Sequence, residues 1–364
     1  MTTKGNTEGN AEKDGSASKS YSMSPPKEST SVFRISGNRE EEVVDKVPPY
    51  DERHPRATDV RDDRLTLAPE SIKRATYKHF KGIMVPVFTC FKQNETRSLN
   101  VSNIPRYAEM LRRNRVVGVL INGVIGEGPT MAVKERKANC EYWHRAAVKN
   151  NLLIMVQVGG APLADVLSLA SHAEDMGVSA VCTLPELFFR PRDVDQLVAY
   201  CRLVAEHCRT RPFFYYHIPS MTGVDLDMVE FCAKAEKIIP NFLGVHFVSS
   251  DLEMGQKCLR SGRVIFQGSS ALVASALMSG FKSISVPVTN CRPDIVEGIY
   301  DAYYENDLRL SRERQDELNR LIEIHTHRTY MQSWVVSMKE WFNKELSMRS
   351  PELSFTTGPA RKYY

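Results

Sequence analysis

The stretch Asn241-Phe-Leu-Gly-Val-His-Phe-Val-Ser-Ser-Asp251 is an apolar run of strand length, interrupted by one imidazole, His246, and closed by a polar turn. A run apolar on both faces suits a parallel strand that is covered on two sides. Seven other segments share that texture: Gly82–Phe88, Val116–Ile121, Leu152–Gln157, Ala180–Thr183 and Pro212–Tyr216 before it, Val264–Phe266 and Ser283–Val286 after it. Between them, 101–114, 133–149, 162–176, 192–208, 225–237, 251–260, 270–279 and 292–305 carry apolar residues at helical spacing. Eight strand–helix alternations with short connections predict an α/β fold, a (β/α)₈ TIM barrel, over residues 71–306. Beyond it the pattern is purely helical. Two amphipathic helices, 311–325 and 329–345, are expected to pack on the barrel as a 307–345 appendage, and 346–364 reads as a flexible polar tail.

Residues 1–70 have a different texture, rich in Ser, Pro, Gly, Lys and Glu. Their apolar residues are too sparse to offset the entropy of ordering, so a disordered N-terminal extension is expected. Ser31 and Arg34 there are weak docking or modification signals. The net charge of +4 is mild, and no basic stripe interleaved with aromatics argues for nucleic acid. The eight cysteines are scattered without a Cys-x-x-Cys pair, which suits buried thiols in a reducing compartment. No signal peptide opens the chain and no apolar run reaches membrane-spanning length, so the cytoplasm is the expected location. The sequons at Asn94 and Asn100 would matter only in the secretory pathway.

In such a barrel the pocket lies at the carboxyl ends of the strands. His246 sits at the end of the sixth strand, and a buried polar group there needs a partner or a task. The second strand ends in Asn122-Gly-Val-Ile-Gly-Glu-Gly128, a glycine-rich loop whose backbone N–H groups can face an anion, or simply make a tight turn. Tyr216 ends the fifth strand on the same face as Phe214, so its hydroxyl can donate to a developing oxyanion or serve structure alone. His217 points the other way and is expected to pack between strand and helix. Metal binding is poorly supported: His246, Glu127, Glu186 and Asp251 come from separate strand exits, and His325 and His327 lie in the helical appendage. Ser249, Ser250 and Asp251 stand near His246, but no Gly-x-Ser-x-Gly elbow accompanies them. No cofactor is called for.

The loop Asn122–Gly128, the strand Phe213-Phe-Tyr-Tyr-His-Ile-Pro-Ser-Met-Thr-Gly-Val224 and the segment Ile239–Leu252 together resemble N-acetylneuraminate lyases, of the dihydrodipicolinate synthase-like class I aldolases. The resemblance covers about residues 79–345. It implies a cytoplasmic homo-oligomer, a tetramer or dimer, that cleaves sialic acid to N-acetylmannosamine and pyruvate without metal. It also implies a Schiff base between pyruvate and a lysine at the end of the sixth strand, a position that here is His246. Imidazole cannot form that iminium. Lys81 and Lys282 stand at strand entrances, at the wrong end of the barrel.

Other departures follow the same direction. Two hydroxyl residues that hold the pyruvate carboxylate in that family are Val124 and Ile125 here. The family's acidic residues after the seventh strand are replaced within Gly268-Ser-Ser-Ala271, which places Gly268 and Ser270 at the substrate position. Tyr216, Glu127, Gly268 and Asn290 keep the family's residues, and the resemblance implies that Asn290 is a substrate-binding position together with Val124, Ile125, Gly268 and Ser270. Three readings stay open: a lyase-like barrel without Schiff-base activity that binds a small carboxylate or sugar acid or acts as a scaffold; an enzyme with lysine-independent chemistry, His246 as base and Tyr216 as acid; and an ordinary sialic acid lyase. Whether the chain is an enzyme is therefore left open by its sequence.

Overall fold

A computed structural model describes residues 78–326, 331–349, 351 and 355–361. The expectations for residues 1–70, including Ser31 and Arg34, and for His327 fall outside the described residues.

Eight parallel strands close into a barrel in sequence order, with β8 paired back to β1. They are β1 (Gly82–Pro86), β2 (Gly118–Ile121), β3 (Leu153–Gln157), β4 (Ala180–Thr183), β5 (Phe213–His217), β6 (Phe242–Phe247), β7 (Val264–Gln267) and β8 (Ser283–Ile284). The outer helices are α1 (Ile104–Arg113), α2 (Val133–Lys149), α3 (Leu163–Met176), α4 (Val194–Ala205), α5 (Met228–Ile238), α6 (Leu252–Lys257), α7 (Val273–Met278) and α8 (Pro293–Tyr304). A single helical turn, Pro219–Thr222, follows β5. Local chemistry sets several boundaries. Asp193, Asp227 and Asp251 cap α4, α5 and α6 through their carboxylates, and left-handed Gly177 ends α3.

Apolar side chains divide into two layers. Met84, Leu120, Met155, Cys182, Phe214, Tyr216, Val264 and Phe266 fill the barrel interior, while Val85, Val119, Val156, Val181, Tyr215 and Val245 face the helices. Phe80, just before β1, meets Phe214 edge-on at 5.4 Å and Phe266 at 6.3 Å, which plugs the barrel floor. The interior is a packed core rather than a pore.

β6 carries one irregularity that matters. Phe213 pairs with Phe242 but Phe214 pairs with Gly244, so the register slips by one residue. A one-residue slip reverses which face each later side chain occupies. Phe242 faces outward with Val245 and Phe247, and His246 is turned toward Tyr216 in the interior. Gly244 permits the slip, because a Cβ there would overlap the carbonyl of Val264 on β7.

Beyond the barrel, α9 (Leu308–Thr326) and α10 (Met331–Arg349) form the helical appendage. α10 buries Val335, Met338, Trp341, Phe342 and Leu346. Phe342 stacks on Tyr107 of α1 at 5.2 Å and lies 5.5 Å from Phe88. The segment expected as a flexible tail is different within its described part: Thr357 is buried, and its carbonyl accepts the Phe91 N–H at 2.9 Å. Phe355 packs 5.5 Å from Tyr107. Gly358, at φ +66°, makes the turn that brings this strap against the loop after β1. Its sequence is polar, but its few apolar and hydroxyl groups are placed where the barrel can pair them.

Candidate active site

At the carboxyl ends of β5 and β6, Tyr216 and His246 are register partners. Their rings meet edge-on with centroids 4.3 Å apart, and Phe266 closes the third side at 6.4 Å from the imidazole. His246 is 1% exposed, and neither Nδ1 nor Nε2 has a hydrogen-bond partner. Burial alone pushes its pKa down to about 3. The ring is therefore neutral at pH 7, with one donor and one acceptor facing apolar neighbours. Leaving such groups unpaired costs roughly 1–3 kcal/mol, a cost that a polar ligand would remove. Burial also raises the Tyr216 phenol well above its ordinary range, so it too is neutral, a donor rather than a base.

The glycine-rich loop contributes an apolar rim. Val124 packs against the interior layer, and a Cβ on Gly123 would lie 3.6 Å from the Tyr216 ring. Ile125, expected at the pocket, is instead 2% exposed in the outer layer facing the helices. Val124 and Ile125 thus join different layers, the first the interior cluster and the second the outer one. The loop is held from outside: Thr89 donates to the Gly126 carbonyl at 2.5 Å. Glu127 has a left-handed backbone, φ +55°, and its carboxylate is engaged by α10 and the C-terminal strap. Lys339 Nζ of α10 lies 2.6 Å from Glu127 Oε1, both side chains being buried, and the Arg361 N–H donates to Oε2 at 2.8 Å. Lys339 also stands 4.5 Å over the Phe91 ring. Burial lowers its pKa and the Glu127 carboxylate opposes that shift.

The other sequence candidates divide between support and structure. Asn290 is fully engaged: it accepts from the Tyr107 hydroxyl at 2.5 Å and donates to the carbonyls of Pro86 and Pro287, each at 2.8 Å. These bonds tie β1 to the turn after β8. Gly268 has no room for a side chain beside Val248, and its N–H donates to the Phe247 carbonyl at 2.8 Å. The Ser270 carbonyl accepts from Gln315 of α9 at 3.0 Å. His217 packs outward on Phe247 at 5.1 Å, as its parity implies, with burial taking its pKa down to about 4. Ser249 accepts from the Asp251 N–H and Asp251 caps α6, so neither engages His246. Glu186 accepts from the backbone of Phe188 and Phe189. Among the described residues, no group of three His, Cys, Asp or Glu side chains is placed to hold a metal. Lys81 and Lys282 line a cavity at the strand entrances.

Sequence reasoning missed Lys339, Glu135 and Arg361. Lys339 occupies an apolar-face position of α10, four residues after Val335 and three before Phe342, and a lysine there was the available signal. Arg361 donates to both oxygens of Glu135 and to the Thr130 carbonyl, closing the strap over the loop from Gly128 to Val133. No short-range pattern links residues so distant in sequence.

The closed parallel (β/α)₈ barrel defines the fold class. Residues 79–358 match the model of the dihydrodipicolinate synthetase family, and the chain belongs to that family. It is similar to N-acetylneuraminate lyase of Gallus gallus, 31% identical over 222 residues, 60% of this chain and 72% of that protein. N-acetylneuraminate lyase A of Xenopus laevis is 35% identical over 176 residues, 48% of this chain. The chain spans 57% of the length of that relative. Among solved structures, Proteus mirabilis N-acetylneuraminate lyase aligns with a TM-score of 0.70 and 27% identity, over 78% of this chain and 92% of that one. Among the described residues, no helix is long and apolar enough to cross a membrane.

Proposed function

We propose that this chain is an N-acetylneuraminate lyase-like barrel that binds a small carboxylate or sugar acid at its carboxyl-end mouth without forming a Schiff base. The observation that carries the reading is the His246 position: a neutral, unpaired imidazole stands where the family resemblance expects the reactive amine. A ketone needs a primary amine to become an iminium. Lys339, the buried lysine among the described residues, belongs to the outer layer, paired with Glu127. Val124 supports the same reading by giving the mouth a methyl surface in place of a hydroxyl. In this account the Tyr216 hydroxyl and a His246 ring N–H donate to the ligand's oxygens, and the imidazole's second nitrogen accepts from a ligand hydroxyl. Incubation with pyruvate and sodium borohydride, followed by peptide mass analysis, tests it. No stable adduct is expected, and a reduced pyruvate adduct on any lysine overturns the reading.

A second reading is a working sialic acid lyase that yields N-acetylmannosamine and pyruvate. The names of the relatives favour it, and so does Tyr216, which stands at the matched position of the family's tyrosine. It requires an amine other than one at residue 246. Lysine-independent catalysis by His246 as general base is less well supported, because a pKa near 3 makes the ring a weak base at neutral pH. A homo-oligomeric, cytoplasmic protein fits the family membership and the eight buried free cysteines.

A further inference from the structure

Two of the eight free cysteines face each other. Cys232 lies on α5, Cys258 directly follows α6, and the two helices pack side by side on the barrel. Their sulfurs are in hydrogen-bonding contact, the Cys232 thiol donating to Cys258. Arg263, immediately before β7, stands beside the pair. Its guanidinium is fixed: Nε lies 2.8 Å from Glu236 Oε1, and Nη1 donates to the Cys258 carbonyl at 2.7 Å. The hydrogen bond from Cys232 and the charge of Arg263 draw the Cys258 thiol below its ordinary pKa, against the effect of burial. Burial pushes the six thiols outside the pair up.

Cys258 is buried, yet its chain neighbours are not. Gln256 and Lys257 before it and Arg260, Ser261 and Gly262 after it are exposed, so its thiol lies just beneath a surface turn. Gly262, at φ +83°, shapes that turn. A disulfide needs the sulfurs to close from hydrogen-bonding contact to about 2 Å. That approach falls on the short helix α6 and the turn that follows it. Residues 233–257, between the two cysteines, include β6 and His246. A bridge would therefore clasp the helices on either side of the strand that carries the candidate site.

We propose that Cys232 and Cys258 are a reversible redox site, oxidised by hydrogen peroxide to a disulfide that clasps α5 to α6. The Cys258 thiolate attacks one peroxide oxygen; an S–O bond forms, the O–O bond breaks, and the hydroxide that leaves takes up a proton as water. The Cys232 sulfur then attacks the sulfenic sulfur of Cys258. The S–S bond forms, the S–O bond breaks, and the departing hydroxide takes the Cys232 proton as a second water. Two thiols lose two electrons, and one peroxide becomes two waters. Exchange with a dithiol restores both thiols.

The folded, reduced full chain is treated with hydrogen peroxide, alkylated in denaturant, digested without reductant and read by peptide mass analysis. One linked pair of peptides, Cys232 to Cys258, is expected, with the other six cysteines alkylated and the link reversed by dithiothreitol. The bridged chain should unfold at higher urea than the reduced one, because the link constrains the unfolded state. Cys232→Ser should leave Cys258 as a sulfenic acid that dimedone traps, whereas Cys258→Ser should leave Cys232 alkylated. Full alkylation of both thiols after peroxide, or a preferred link between other cysteines, overturns the proposal. So does a Cys232→Ser chain whose Cys258 escapes dimedone.

Discussion

The imidazole of His246 stands edge-on to the Tyr216 ring, 4.3 Å between centroids, with both of its nitrogens unpaired inside the barrel. Both rings are buried, and burial keeps both neutral at pH 7. The bulge in β6 creates this contact, and Gly244 makes the bulge possible. Gly244→Ala should therefore perturb the site as well as stability. The measurement is unfolding by urea alongside the near-UV spectrum of the buried aromatics; an unchanged spectrum with unchanged stability would contradict the close approach to Val264.

Stability should fall as pH is lowered. His246 and His217 have folded pKa values pushed down to about 3 and about 4 by burial, below the ordinary imidazole value. Between those values and about 6.5, the unfolded chain binds protons that the native state refuses, so acid favours unfolding in that window. Each imidazole contributes at most about 1.4 kcal/mol per pH unit. His246→Phe removes one of them. Its stability relative to wild type, from urea midpoints, should therefore improve steadily from pH 7 to pH 4. A difference that does not vary with pH would mean that His246 is not held neutral.

The Lys339–Glu127 pair should be costly to break and cheap to replace as a unit. Both side chains are buried, and Lys339→Met leaves the Glu127 carboxylate with one cation fewer. Removing one partner of a buried pair costs about 3–5 kcal/mol. The double variant Lys339→Met/Glu127→Gln should recover a large part of that loss in chemical denaturation. Additive losses would show that the two side chains do not act as a pair.

The strap should hold the glycine-rich loop. Arg361 reaches Glu127 through its backbone, and Glu135 and Thr130 through its guanidinium. Arg361→Ala removes charge-assisted hydrogen bonds worth about 1.5–3 kcal/mol. Hydrogen exchange should accelerate at the amides of Glu127, Gly128 and Thr130, whose bonds lie in this turn. Exchange unchanged there would mean that the strap decorates the loop without restraining it.

Much of the architecture could be read from the chain, because parallel strands and amphipathic helices leave periodic patterns within ten or so residues. Ala180–Thr183 and Val133–Lys149 have the same ends in sequence and structure. The parity of β5 placed Tyr216 inward and His217 outward. The direction of Ile125 could not be read, because a glycine loop has no period from which a side-chain direction follows. The strap and Lys339 were missed for a different reason. Their partners lie more than two hundred residues away, and only the folded barrel brings Glu127 to α10 and Arg361.

Borohydride reduction in the presence of pyruvate tests the central claim most directly. The wild-type protein should keep its intact mass and its lysine peptides unchanged, and a His246→Lys variant should gain a reduced pyruvate adduct at residue 246. A pyruvate adduct on a lysine of the wild-type chain would contradict it and identify the amine of a working lyase.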